Sequence, residues 1–311
     1  MTMDSELLML LAGLIGLLTL ATVAGRFVVR RKGADRPDMR NLIQRIRAWW
    51  GMLLFFGLAV LAGSGMTVLL FAAVSFLALR EFITLTRPHR ADHRALFWAF
   101  FILTPMQYIL LYREMYGMFT IFIPVYGFLW MPVRNVLAGE TEDFLARTAK
   151  VQWALMVAVY FISHAPALLL LDIEGYEGES AKLLLFLVVV VQASDVLQYV
   201  WGKTLGRRPV APTLSPGKTV EGFIGGVASA TALGAALWWI TPFTPWQAAG
   251  YAYVICVMGF LGGLVMSAIK RDRGVKDFGS LIEGHGGMLD RVDSICFSAP
   301  LFFHLVRFFT Q

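Results

Sequence analysis

Between Ser267 and Ser294 the sequence gathers Lys270, Arg271, Lys276, Asp277, Gly284, His285, Gly286, Gly287, Asp290, Arg291 and Asp293. Cationic side chains hold phosphate oxygens, and Asp290 and Asp293, three residues apart, share one face of a helix. With Asp277 they offer the hard oxygen ligands that Mg²⁺ takes beside substrate phosphates. Gly284, Gly286 and Gly287 let the backbone come close to a ligand. Together these residues describe a nucleotide and metal site. The plainer alternative, a salt-bridged connection between helices, has no use for so many glycines.

A second concentration lies upstream. Ser215, Gly217, Lys218 and Thr219 supply hydroxyls, exposed N–H groups and an ammonium just ahead of a helix N-terminus, a seat suited to phosphate. Gly217-Lys218-Thr219 has the look of the end of a P-loop, but that pattern needs Gly at position 212, which is Pro, and a preceding strand. A basic loop touching lipid head groups is the competing explanation. Asp195, near the end of an apolar run with Gln192, Ser194 and Gln198, is a functional candidate because an intramembrane carboxylate is expensive unless it is used. Its plainer role would be hydrogen bonding between helices.

The elements that position these residues are membrane helices. Of 311 residues 58% are hydrophobic and only 15% charged, with a mean hydropathy of +0.66; soluble domains run at about 25% charged. Two cysteines, Cys256 and Cys296, exclude a disulfide framework or a cysteine-rich zinc site. Apolar runs near 6–28, 49–62, 65–84, 95–112, 117–133, 151–171, 182–201, 222–241, 248–269 and 294–309 predict an all-α polytopic membrane protein. That makes about ten transmembrane helices, with a break at Gly63-Ser64-Gly65 and both termini outside. No basic residue precedes the first run, so it is expected to stay as a helix. Residues 1–180 form the N-terminal helices, and 181–311 the catalytic region with cytosolic loops 202–221 and 270–293.

Threaded this way, every basic residue except Arg113, Lys182 and Arg307 falls on the inner side. That is a strong positive-inside bias. The net charge of +6 is therefore a topology signal and implies no nucleic acid. In a bacterium it places the chain in the inner membrane with both polar loops facing the cytoplasm.

The run Ser267-x-x-Lys270-Arg271, four residues, Lys276-Asp277, then His285-Gly286-Gly287-x-x-Asp290-Arg291-x-Asp293 resembles the signature of phosphatidate cytidylyltransferases, the CDP-diacylglycerol synthases. The Ser215-Pro216-Gly217-Lys218-Thr219 and Glu221-Gly222 segment and the preceding Asp195 are similar to that family too. Glu283 stands where the family usually has Pro, and Ser194-Asp195-Val196 differs from its common Ala-Asp-Thr, departures that bear on the lipid acceptor and would suit a divergent paralogue.

The resemblance implies that CTP and phosphatidate give CDP-diacylglycerol and pyrophosphate. It implies Mg²⁺, with room for a second cation, on Asp277, Asp290 and Asp293, with Asp195 as a further ligand or neighbour. Phosphate clamps would come from Lys218, Lys270, Arg271, Lys276 and Arg291, and His285 would donate to a phosphate oxygen. The expected partners are these two substrates and membrane lipids, with a homodimer left open. The competing activities are a CTP-dependent polyprenol or phytol kinase, which would release CDP, and a transporter. Transporters place polar groups near the midplane and often carry repeats; here the polar groups collect at one face.

Overall fold

The computed structural model describes residues 5–32, 37–86, 89–282 and 286–310. Within a bilayer a spanning segment must pair its own peptide groups, so long apolar runs fold as helices. In chain order these are α1 (Ser5–Lys32), α2 (Pro37–Ala62), α3 (Ser64–Thr86), α4 (His93–Tyr112), α5 (Tyr116–Val136), α6 (Phe144–Leu170), α7 (Ala181–Leu205), α8 (Val220–Ala236), α9 (Pro245–Asp272) and α10 (Leu289–Thr310). Among the described residues nine helices are long and apolar enough to cross a membrane, and α8 is a shorter apolar helix. The chain is an all-α polytopic membrane protein.

The spans α6 and α10 begin earlier than expected, at Phe144 and Leu289, and α8 and α2 also differ from the sequence expectation. The run expected at 222–241 folds as the 17-residue α8, which gives way at Leu237 to a 3₁₀ turn, Trp238–Ile240. It still passes from end to end of the bundle. The β-hairpin feeds its start, and the Tyr176 hydroxyl, in the α6–α7 connection at the opposite end, donates to the Ile240 carbonyl just beyond it. The run expected to begin at 49 begins at Pro37, because Arg45 and Arg47 continue the helix below the apolar stretch. The break after α2 falls at Gly63, whose φ of +106° is open to glycine at no steric cost.

The segment expected to be a plain loop contains a small hairpin, β1 (Pro209–Ala211) and β2 (Ser215–Thr219), with Pro209 opposite Thr219 and Ala211 opposite Ser215. Its second strand runs directly into α8, where the Thr219 hydroxyl accepts from the Gly222 N–H at 3.1 Å as the helix cap.

Packing follows the small residues, which let membrane helices approach closely. A Cβ on Gly226 of α8 would lie 2.3 Å from the Gln198 side chain of α7, so those two helices meet nearly backbone to backbone. The core is continuous from α3 through α6 to α10, with Leu79, Leu155, Phe186, Phe302 and Phe303 fully enclosed. At the far end, Lys182 of α7 binds Glu179 at 3.0 Å and also Glu6 of α1. At the opposite end the last turns of α3, α7 and α9, the hairpin and the first turn of α10 come together.

Candidate active site

Asp195 sits in the last turns of α7 and Asp293 in the first turns of α10. Ser294 joins them: its hydroxyl donates to Asp195 Oδ2 at 2.9 Å, and its backbone N–H to Asp293 Oδ1 at 2.8 Å. Lys218 lies within electrostatic range of both carboxylates, and Arg291 within range of Asp195. The Arg291 Nε is buried and has no partner among the described residues.

Lys218 reaches this pair because α9 makes room for it. A Cβ on Gly263 would stand 2.6 Å from the Lys218 Nζ, and that Nζ rests 4.9 Å from the centre of the Phe260 ring. Burial pulls the Lys218 pKa below the ordinary lysine value, and the two carboxylates oppose that pull. A partly desolvated ammonium within electrostatic range of two carboxylates is a cation suited to meet a phosphate.

The signature Asp290 is occupied differently. Its Oδ1 accepts from Lys270 Nζ at 2.8 Å, and its Oδ2 accepts the N–H groups of Phe278 at 2.8 Å and Gly287 at 3.0 Å. With a side chain only 4% exposed, it ties the 270s connection to the start of α10. Asp277 lies close by, since a Cβ on Gly286 would meet Asp290 Oδ2 at 2.8 Å and Asp277 Cβ at 3.1 Å. Asp277 and Lys276 are both exposed. Arg271 joins the two polar connections, donating from Nε to the Leu214 carbonyl at 3.2 Å and from Nη1 to the Val275 carbonyl at 2.8 Å. Ser215 and Gly217 lie along β2, and the Thr219 hydroxyl is engaged as the α8 cap. Glu283, Gly284 and His285 lie outside the described residues.

Glu81, which the sequence reading passed over, completes the arrangement from α3. Its Oε1 accepts from the Met288 N–H and its Oε2 from the Leu289 N–H, each at 2.8 Å. A Cβ on Gly287 would stand 2.3 Å from Glu81 Oε2, so glycine there is what allows the clamp. The signal was available: an ionisable side chain in an apolar helix is expensive wherever it occurs, the same reason that singled out Asp195.

The donor set fits a divalent cation. Mg²⁺ is commonly held by one or two carboxylates, with waters and substrate phosphates filling its octahedron, and Asp195 and Asp293 form such a pair. Among the described residues no three His, Cys, Asp or Glu side chains converge to hold a metal. A cation on the pair would therefore take waters and phosphate oxygens to complete its shell.

A model of the cytidylyltransferase family matches residues 43–309. The chain is 41% identical over 306 residues to the Escherichia coli (strain K12) protein named Uncharacterized protein YnbB, covering 96% of this chain and 97% of that one. It is 33% identical over 223 residues to a phosphatidate cytidylyltransferase of Bacillus subtilis (strain 168), covering 69% and 77% respectively. To a phosphatidate cytidylyltransferase of Staphylococcus aureus (strain COL) it is 31% identical over 193 residues, 60% of this chain and 74% of the other.

Proposed function

The chain belongs to the cytidylyltransferase family, and on that footing we propose that this nucleotidyltransferase moves the cytidylyl group of CTP onto phosphatidate. The products are CDP-diacylglycerol and pyrophosphate. One observation carries the reading: a carboxylate pair, Asp195 and Asp293, is bridged by Ser294 and faced by Lys218 and Arg291 at the end where the signature residues gather.

In the proposed reaction a phosphate oxygen of phosphatidate attacks the α-phosphorus of CTP, forming one P–O bond as the α–β bridging bond breaks and pyrophosphate leaves. A phosphate monoester has its second pKa at about 6, so the nucleophile is mostly dianionic at neutral pH and needs little help from a base. The obstacle is bringing two anions together and stabilising the departing charge, a task for fixed cations and orientation. Lys218 and Arg291 neutralise phosphate oxygens, and the exposed Lys276, next to Asp277, meets the polyphosphate tail. Asp195 and Asp293 are the residues that would hold Mg²⁺. When bound, the ion supplies Lewis-acid charge on the transferring and leaving phosphoryl groups.

Asp290 with Lys270, and Glu81 with the Met288 and Leu289 N–H groups, fix the connection that carries these residues. They are positioning residues. In this reading the site opens at the cytoplasmic face of a bacterial inner membrane, the side on which CTP is found, and the excess of basic residues in the connections on that side supports the orientation.

The test is product identity. Purified protein with Mg²⁺, phosphatidate and CTP labelled separately at the α and γ positions should put the α label into lipid and release pyrophosphate. Release of CDP with the γ label in lipid would make it a kinase and overturn the proposal.

A further inference from the structure

The whole net charge of the protein is lodged in one short segment. Of its 27 basic and 21 acidic residues, eight basic ones and only two acidic ones, Asp35 and Asp38, fall between residues 26 and 47, which leaves nineteen of each for the rest of the chain. Those balance, so the net +6 belongs to the end of α1, the start of α2 and the connection between them. The cytidylyltransferase family model begins at residue 43, so α1 lies outside the matched stretch.

Packing sets the height of these charges. α1 runs antiparallel to α2, with Leu11 beside Gly57 and the Trp50 indole donating to the Thr22 hydroxyl at 3.0 Å. At about 1.5 Å per residue, Arg26 stands about 6 Å beyond Thr22, and Arg47 about 4.5 Å beyond Trp50 on the neighbouring helix. Both are exposed, as are Arg30 and Arg31. Tryptophan favours the boundary between hydrocarbon and head groups, so Trp50 at that boundary puts the four guanidinium groups at head-group level. Only 6% of the most apolar window of α1 is buried. Val23 and Phe27, 61% and 54% exposed, therefore flank Arg26 with lipid-facing carbon, and the Arg31 guanidinium lies 4.3 Å from the centre of the Phe27 ring.

This setting selects the anion. A soluble polyanion would have to enter the bilayer to reach Arg26, whereas a lipid phosphate is already there. Guanidinium groups grip phosphate through paired N–H donors, and a cluster of Lys and Arg beside the end of a membrane helix attracts anionic lipid. Orientation alone would be served by basic residues in any of the inner connections; it does not call for their concentration on one edge. We propose that the α1–α2 edge binds the head groups of anionic phospholipids in the bilayer, with their phosphates on Arg26, Arg30, Arg31 and Arg47. The inference does not depend on the reaction proposed for the carboxylate pair.

The purified protein, reconstituted in nanodiscs of phosphatidylcholine with a minor share of phosphatidylglycerol and then mildly re-extracted, should retain phosphatidylglycerol at about threefold or more its share of the disc, read by mass spectrometry. Arg26→Gln, Arg30→Gln, Arg31→Gln and Arg47→Gln together should abolish that enrichment. The same charge removed elsewhere, through Arg90→Gln, Arg94→Gln, Lys203→Gln and Arg207→Gln, all exposed, should leave it in place. Melting temperature checks that both variants fold. A second measurement keeps every arginine: benzophenone attached through Val23→Cys should capture phosphatidylglycerol in preference to phosphatidylcholine, and through Leu58→Cys, 56% exposed on α2, in bulk proportion. Where the first variant does not fold, this capture comparison decides. No enrichment in the unchanged protein, equal loss in the two folded variants, or capture in bulk proportion at position 23 would overturn the proposal.

Discussion

Asp195 and Asp293 belong to helices far apart in sequence and meet through a single serine, so their charges can be removed without dismantling either helix. Asp293→Asn and Asp195→Asn are expected to keep the fold and to lower pyrophosphate release by about 100-fold or more at limiting Mg²⁺, the order seen when a group stabilising transition-state charge is lost. A Mg²⁺ titration of turnover checks this, and unchanged turnover at low Mg²⁺ would refute the ligand assignment. Asp290→Asn should behave differently. The sequence suggested another metal ligand, but Asp290 is filled by Lys270 and two backbone N–H groups. Breaking a buried ion pair from one side costs about 3–5 kcal/mol, so the expected readout is a marked fall in melting temperature. Lys218 adds a pH signature. Because burial lowers its pKa, its charge is present below the depressed value and lost as pH rises through it. In the free enzyme kcat/KM for CTP should therefore decline on the alkaline side at a lower pH than an ordinary lysine would give. Lys218→Arg, which keeps its charge, should extend the plateau; an alkaline limb that stays in place would assign it to another group.

Helices were the most legible elements, because runs of about 20 apolar residues have few other ways to satisfy their backbone in lipid. What periodicity could not supply was the meeting of elements. Glu81 lies some 200 residues from the N–H groups it receives, a pairing no local pattern encodes, and β1 with β2 form a hairpin too short and too rich in proline to register as strands. The α3 clamp can be tested by Glu81→Ala, which leaves two N–H groups at the start of α10 without their acceptor. A lost cap costs about 0.5–2 kcal/mol, so a lower melting temperature together with a raised KM for CTP is expected; a change in neither would show that α10 is held without α3. Gly263→Ala probes α9. Alanine is favoured over glycine in a helix interior by about 1 kcal/mol, yet its Cβ would crowd the Lys218 Nζ. Helix stability should be kept or gained while kcat/KM for CTP falls by about tenfold, and full activity would show that Lys218 need not occupy that notch.

For the whole molecule, composition and charge placement were enough to establish a polytopic helical protein. They overran only at α8, whose glycines and small residues suit it to packing against α7 without the full length of the longer helices. If α8 crosses together with the nine longer helices, the described residues make ten passages, an even number that returns the chain to the side on which it began. Reporter fusions at the two ends should both read as outside, and fusions in the α7–α8 and α9–α10 connections as inside. A split result for the two ends would mean that α8 turns back within the membrane. The far end of the bundle carries a different lesson, about order of assembly. Only 6% of the most apolar window of α1 is buried within the bundle. It packs along α2, where the Trp50 indole donates to the Thr22 hydroxyl at 3.0 Å, and Glu6 ties it to Lys182, 176 residues later. That latch closes only once Lys182 of α7 has been synthesised. A nascent chain carrying Glu6→Cys and Lys182→Cys should form the 6–182 crosslink when halted beyond α7, and should fail to form it when halted while α7 is still inside the ribosome.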